Sequence, residues 1–585
     1  MSLDSACGGT GDCGHCKVII QKGSVTPLTS IERTLLTPQE IENGYRLACC
    51  TKALGNVEVF VPIPIEIASH RLQTETQEKA VEVSPLINTY NLQLTPSRID
   101  DVRSDFTRLQ EALGTIHNTT ANSIDYFAMR SLSQHIREGK WAVRAAIRGD
   151  EIIDVIPAST DSQELGLAVD LGTTKIALYL VNLATGETVD SIGIQNPQAS
   201  YGDDVVSRLQ AVLEDDAALE RQSTLVIKAI NKEIVKMCQR HKTSPERILE
   251  TAIVGNTAMH HILLKLPVRQ LALYPFIAAT DRPMEIKARE LGLIIAPGAY
   301  IYFLPPVAGF VGSDQVAMLL ASGIPEENGI VVGMDIGTNT EIALKTEGGI
   351  FTCSTASGPA FEGARIKDGI KAASGAIERV HIDAVTLRVD VETIADEAPI
   401  GLCGSGLLDA LSEMLRVGII NESGRIQLDK RGTRLGHRDV PEFLLTSVQT
   451  SGGSRDFVIT QQDVAELQLA KGAIRAGMNI LLKQAGLLPE QIDRVIIAGA
   501  FGSYIDPAAG IALGMFPQLS LYSFIRVGNA AGAGAKAILV SQKLRQQAEV
   551  LARDLSYVEL AAEKDFHHQF AQAMKFPEIP CQEEK

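Results

Sequence analysis

The 585-residue chain lacks any run of eighteen consecutive apolar residues, which excludes a membrane-spanning helix. Its opening, MSLDSACGG, has neither the basic nor the apolar region of a secretory signal, so a cytoplasmic protein is expected. Positive charge is scarce: 54 Lys+Arg stand against 70 Asp+Glu, for a net charge of -16. Such a surface does not advertise the phosphate-neutralising patch that nucleic acid requires, nor any attraction to anionic membranes. Cysteine is sparse and unevenly placed. Five of nine lie in the first fifty residues, while Cys238, Cys353, Cys403 and Cys581 are scattered, a pattern that fits a local metal site better than a disulfide framework. Two nucleotide signatures are also missing. There is no Walker loop, and the glycine turns at 401–406 and 528–534 do not complete G-x-G-x-x-G with a following ribose acid, which argues against a hydride-transferring dehydrogenase.

What is present begins with size: at roughly 150 residues per domain the length suggests about four domains, and a hydrophobic content of 45% supplies several cores. The glycine-laced segment CGGTGDCGHC holds Cys7, Cys13 and Cys16 in the pattern C-x5-C-x2-C, and a fourth thiol arrives at Cys49 or Cys50 in RLACCTKALGNVEVFVP. Four thiolates suffice for a [2Fe–2S] cluster. Gly8, Gly9, Gly11 and Gly14 supply the dihedrals for a loop whose amides face the inorganic sulfurs. A zinc ribbon would show two CxxC pairs, whereas only Cys13 and Cys16 form one.

Residues 63–90 are polar and without sustained periodicity, which predicts a tether. Residues 91–163 predict a small α+β domain, with helices in SRIDDVRSDFTRLQEALG and IDYFAMRSLSQHIREG and closing strands AVRAAIRG and EIIDVIPA.

The rest is organised by an internal repeat. GLAVDLGTTKIALYLV at 166–181 and VVGMDIGTNTEIAL at 331–344 each read as strand, polar turn and strand. Each places a carboxylate, Asp170 or Asp335, at a strand end, followed by a turn whose N–H and hydroxyl groups can cradle phosphate: Gly172, Thr173, Thr174 and Lys175 in one, Gly337, Thr338 and Asn339 in the other. Two such loops facing across a cleft can grip a triphosphate, with one carboxylate ordering a Mg²⁺ hydration shell and the other aligning or deprotonating the attacking water. Near the C-terminus DRVIIAGAFGSYID predicts a buried strand and a small-residue turn, Gly499, Ala500, Phe501 and Gly502, on which a nucleoside can lie. FIRVGNAAGAGAKAILV follows as strand, Gly528-Asn529 turn and helix, while ASGPAFEGARI and GLCGSGLLDAL predict a crossover helix and a further glycine turn.

This order of loops and helices over residues 164 to about 545 resembles the acetate kinase/sugar kinase/Hsp70/actin superfamily. The cysteine segment resembles a β-grasp ferredoxin-like domain. By that resemblance Cys7, Cys13, Cys16 and Cys49 are the ligands and Cys50 a neighbour; with six residues before Cys7 the domain is expected to lack two strands. The whole series, with NPQASYGDDVVSRL, VGNTAMHH, SGPAFEGARI and AGAFGSYID, is similar to the reductive activators of corrinoid proteins. The resemblance implies an α/β multidomain protein: a truncated ferredoxin-like domain at 1–62, a linker at 63–90, a middle domain at 91–163, two ribonuclease H-like ATPase lobes at 164–330 and 331–560, and a tail at 561–585. It further implies ATP-dependent one-electron reduction of Co(II) to Co(I) on a corrinoid methyltransferase partner. The cofactors would be a [2Fe–2S] cluster, ATP and Mg²⁺, with an electron donor upstream of the cluster and a homodimer as a further option.

Energetics agree with that pairing, since plant-type clusters sit near roughly -400 mV and each 100 mV of uphill transfer costs an electron about 2.3 kcal/mol. Competing readings are an activator of another low-potential metalloenzyme, a small-molecule kinase with an appended ferredoxin, and a chaperone-like clamp whose cysteines bind zinc. Three further features read as structural. Adjacent His260 and His261 point about 100° apart on a helix and are expected to pack. Cys353 and Cys403 read as small buried residues in loops near the cleft. Asp314 reads first as a helix N-cap and second as a nucleotide-site carboxylate.

Overall fold

A computed structural model describes residues 16–36, 38–61, 81–160, 163–363, 365–451, 455–499, 502 and 504–578. Its first sheet is small: β1 (Lys17–Lys22) lies between β2 (Tyr45–Leu47) and β3 (Glu58–Phe60), antiparallel to both. Glu32 is the keystone of this region. It is fully buried on the helix Ser30–Leu35, completes a capping box with Thr29, and accepts hydrogen bonds from Arg46 Nε at 2.8 Å, the Leu47 amide at 3.1 Å and Thr51 Oγ1 at 2.9 Å. Burial alone would raise this carboxyl, but Arg46 and the Thr29 and Leu47 amides outweigh it and hold Glu32 down at about 2. The segment 46–51, which carries Cys49, is thereby pinned.

The second sheet runs β4 (Ile87–Gln93), β6 (Ala142–Arg148), β7 (Glu151–Pro157), β5 (Ser123–Ile124). Helices Asp105–His117 and Tyr126–Glu138 bury Leu109, Leu113, Leu132 and Ile136 against Val143, Ala145, Ile147 and Val155. Residues 87–90, read as tether, instead open β4, because pairing with β6 supplies the order that their polar composition conceals. The first helix starts at Asp105, later than its sequence suggests, because Ser104 caps it and Asp101 accepts from Arg108 to close the preceding turn.

The remaining chain forms two sheets of like topology. In the first, β8 (Leu165–Leu171), β9 (Lys175–Asn182) and β10 (Thr188–Gln195) make an antiparallel meander, and β11 (Ile248–Gly255), β13 (Tyr300–Phe303) and β12 (Met284–Lys287) extend it on the β8 side, β11 parallel to β8. In the second, β14 (Val331–Ile336), β15 (Thr340–Thr346) and β16 (Gly349–Thr355) repeat the meander. Between the two halves of this second sheet the chain makes two three-stranded sheets: β17 (Ala376–Ile382) between β18 (Val389–Thr393) and β19 (Gly401–Leu402), and β21 (Pro441–Thr446) between β20 (Thr433–Leu435) and β22 (Phe457–Thr460). It then returns with β23 (Arg494–Ala498) and β24 (Phe524–Gly528), parallel beside β14, and β25 (Ser556–Tyr557) beside β16.

Three edges differ from the sequence reading. Among the described residues of 356–366 there is no crossover helix, only the short turn Pro359–Glu362; the helix is Gly404–Arg416. The helix Ala530–Val540, expected in the second lobe, packs on the first. Gly534 permits this, since a Cβ there would lie 2.2 Å from the Ala317 carbonyl oxygen, and Ile538, Leu539 and Val540 join the core of Leu167, Val169 and Tyr179. The expected tail contains the helix Phe566–Met574, held to Gln461–Ala485 where Gln468 Nε2 donates to the Met574 carbonyl at 3.0 Å. Among the described residues no helix is long and apolar enough to cross a membrane.

Candidate functional site

Asp170 and Asp335 occupy matching places, each one residue before the end of its strand, with Asp170 opposite Val254 of β11 and Asp335 opposite Ala498 of β23. The turns that follow meet across the cleft, where Thr174 Oγ1 and Thr338 Oγ1 are 3.0 Å apart. Each turn is braced from outside. Asn256 Nδ2 donates to Thr173 Oγ1 at 2.9 Å, Asn196 Nδ2 donates to the Gly172 carbonyl at 2.9 Å, and the Gly358 amide donates to the Thr338 carbonyl at 2.9 Å. Within the second turn the Gly337 amide donates to the Asn339 carbonyl at 3.1 Å. Lys175 opens β9, and its pKa is lowered by burial and by Lys371, with Glu362 opposing.

Gly499, the first residue of the turn expected to receive a nucleoside, lies against the second carboxylate. Gly499 has φ +94, and a Cβ there would stand 2.5 Å from Asp335 Oδ1, so only glycine fits. Its amide donates to the Gly528 carbonyl at 3.1 Å. Of the other residues expected in this turn, Gly502 is described, whereas Ala500 and Phe501 lie outside the described residues.

Several participants escaped the sequence reading. Asn529 Nδ2 donates to Asp170 Oδ2 at 2.9 Å while its Oδ1 caps the helix Ala530–Val540. Glu362 accepts from both Thr174 and Thr338. Glu341, 7% exposed in β15, accepts from Ser354 at 3.2 Å; a charge inside the apolar run EIAL was the available signal. Asp314 is not the N-cap: Gly312 takes that position of the helix Ser313–Ser322, and Asp314 sits inside the first turn, where its carboxylate joins those of the cleft.

Mutual repulsion marks that group. Burial pushes Asp170 up to about 6, with Asn529 restraining it. Burial and then the Asp170 charge bring Asp314 to about 7, and burial with Asp314 and Asp170 brings Asp335 to about 8. Glu341 is raised well above its usual range by burial, Asp314 and Asp335. Such a cluster shares protons until a cation neutralises it. Among the described residues no three His, Cys, Asp or Glu side chains converge to hold a metal directly.

At the thiol site, Cys16 is buried just before β1 and Cys49 is exposed, their sulfurs 3.2 Å apart; the Cys49 amide donates to Cys16 Sγ at 3.5 Å. Cys50 Sγ lies 3.6 Å from Cys49 Sγ and packs against the small core of Leu36 and Leu47. Although the residue is exposed, loss of water around its sulfur, then Cys16 and Cys50, raise the Cys49 thiol strongly, a cost that metal ligation of the thiolate removes. Paired thiols with an amide on sulfur fit an iron–sulfur donor set. Cys7 and Cys13 lie outside the described residues.

The features read as structural are so placed. His261 lies with Nδ1 2.7 Å from the Thr257 carbonyl and accepts from the Ala279 amide at 2.8 Å, and buried His260 packs edge-on against Phe303. Cys353 is buried on β16 rather than in a loop, and Cys403 is buried at the start of the helix Gly404–Arg416.

Four family models match in series: a 2Fe-2S iron-sulfur cluster binding domain over residues 1–54, the RACo linker region over 76–162, the RACo middle region over 165–327, and the C-terminal ASKHA domain of RACo over 329–583. The chain is 29% identical over 579 residues to the corrinoid activation enzyme RamQ of Eubacterium limosum, covering 97% of this chain and 93% of that protein. It is 25% identical to the Co(II) methylated amine-specific corrinoid protein reductase of Methanosarcina barkeri, over 64% of this chain and 70% of that protein. Among solved structures, a reductive activator for a corrinoid, iron-sulfur protein superposes with a TM-score of 0.77 at 33% identity, covering 99% of this chain and 94% of that one. With two facing phosphate loops, a thiol pair and this end-to-end likeness, the chain belongs to the family of reductive activators of corrinoid proteins.

Proposed function

We propose that this chain is an ATP-hydrolysing iron–sulfur activase that returns an oxidised Co(II) corrinoid on a methyltransferase partner to Co(I). The observation that carries the reading is the presence, on one chain, of the Cys16–Cys49 thiol pair and of a cleft in which two Asp-x-Gly-Thr loops face each other. The relatives' names supply the substrate class, since they are described as activating or reducing corrinoid proteins.

Cys7, Cys13, Cys16 and Cys49 would hold the [2Fe–2S] cluster, which would supply one electron at low potential. Thr174, Thr338, Lys175 and the turn amides grip the phosphate chain, and Gly499 to Gly502 receive the nucleoside. Asp170, oriented by Asn529, would position a hydrated Mg²⁺, and Asp335 would align the attacking water. Nucleotide acts on electron transfer only through differential binding to two arrangements of the lobes, so its effect on the partner must be matched by the partner's effect on nucleotide.

The test mixes the reduced protein with a Co(II) corrinoid protein and follows Co(I) absorption with and without MgATP. MgATP is expected to accelerate Co(I) formation, and the Co(II) partner to raise ATP turnover while the methylated partner does not. If MgATP changes neither Co(I) formation nor partner affinity, the activase reading is wrong.

A further inference from the structure

Besides Asp314 and Glu341, a third carboxylate of the cleft belongs to neither phosphate loop. Glu362 ends the turn Pro359–Glu362, and Pro359, Ala360 and Phe361 are buried beneath it, so the side chain stands on a rigid base. It is 6% exposed. Its Oε1 accepts from Thr174 Oγ1 of the first loop at 3.0 Å and from Thr338 Oγ1 of the second, while the two hydroxyls lie 3.0 Å from each other. A single oxygen thus takes one hydroxyl from each lobe.

That arrangement conflicts with a bound phosphate chain. A threonine hydroxyl has one proton to donate, and while it points at Glu362 it is not available to phosphate. A phosphoryl oxygen also needs roughly 2.7 Å to each donor, and it could take both hydroxyls only in the place that Glu362 Oε1 fills. A carboxylate at that point repels the polyanion as well.

We propose that Glu362 is a positioning residue that holds the two phosphate loops together by occupying the hydroxyls that triphosphate requires. Triphosphate must displace it from both hydroxyls. Adenosine, which lacks the phosphates, need not. Glu362 therefore ties the arrangement of the lobes to the phosphate chain rather than to the nucleoside, and it does so at the expense of affinity. The inference rests on the reading of this cleft as a nucleotide site.

Calorimetric titration of the full chain with a non-hydrolysable MgATP analogue and, separately, with adenosine tests it. The isosteric, uncharged Glu362→Gln is expected to bind the triphosphate about tenfold tighter, the equivalent of one lost hydrogen bond or repulsion, and adenosine as before. Adding Thr338→Val should cancel the gain. If Glu362→Gln binds both ligands with unchanged or equally weakened affinity, its role is structural and the proposal falls while the nucleotide reading stands. A gain that persists in the double variant is a general charge effect and also overturns it. If the parental protein binds neither ligand, the nucleotide reading itself fails.

Discussion

Asp170 and Asp335 come from two copies of one motif and stand at the same point of two like sheets, yet the chain surrounds them differently. Asp170 is met by the amide of Asn529, a neutral donor that favours its ionised form. Asp335 is met by the backbone of Gly499 and by the charges of Asp314 and Asp170, and its proton is held to about 8. Duplication therefore supplied two carboxylates, and later neighbours separated their acidities. Pairs of titratable groups pushed apart in this way are how one site assigns different roles to the same chemistry. The thiols Cys49 and Cys50 show the same contrast on a smaller scale, one facing Cys16 and the other turned to the core.

If both aspartates serve phosphoryl transfer, Asp170→Ala and Asp335→Ala should each lower ATP turnover by roughly 10²–10³-fold, the loss typical of removing a transition-state contact. Parental turnover in either variant would leave only one loop in the chemistry. At the thiols, Cys49→Ser is expected to remove most of the visible absorption and Cys50→Ser little of it, with Cys13→Ala abolishing it while nucleotide binding survives. The reverse order at 49 and 50 would show that the wrong thiol has been given the metal.

Asn529→Ala separates the aspartates more gently. It should cost about 1 kcal/mol through the lost helix cap and raise Asp170 further, so the acid limb of the turnover profile moves to higher pH. An unmoved profile would detach Asn529 from Asp170's acidity.

The smallest effect is on stability without nucleotide. Asp335 is raised from 3.8 to about 8 on folding, so its contribution is complete below 3.8 and is lost as pH rises through about 8. The thermal midpoint should fall by a few degrees across that window, and Asp335→Asn should flatten the fall. Asp170→Asn should flatten only the lower part, because that window closes at about 6. Identical profiles for the two variants would erase the contrast.

Much of this was legible in one dimension. An Asp-x-Gly-Thr turn between two apolar strands is a local device, and its recurrence at 170 and 335 announced both lobes because strand, turn and hydroxyls are adjacent in the chain. C-x5-C-x2-C is equally local. The amino-acid sequence by itself thus determined the chemistry available: thiols for iron, hydroxyls and carboxylates for phosphate. What only the tertiary structure decided is which distant residues complete those devices. Asn529 is 359 positions from Asp170, Glu362 is 188 from Thr174, and the helix Ala530–Val540 leaves its own lobe to pack on the other. None of these carries a spacing signal, because a contact made through packed cores depends on where whole elements settle, and a single polar residue beside a glycine looks the same in sequence whether it caps a turn or closes a cleft.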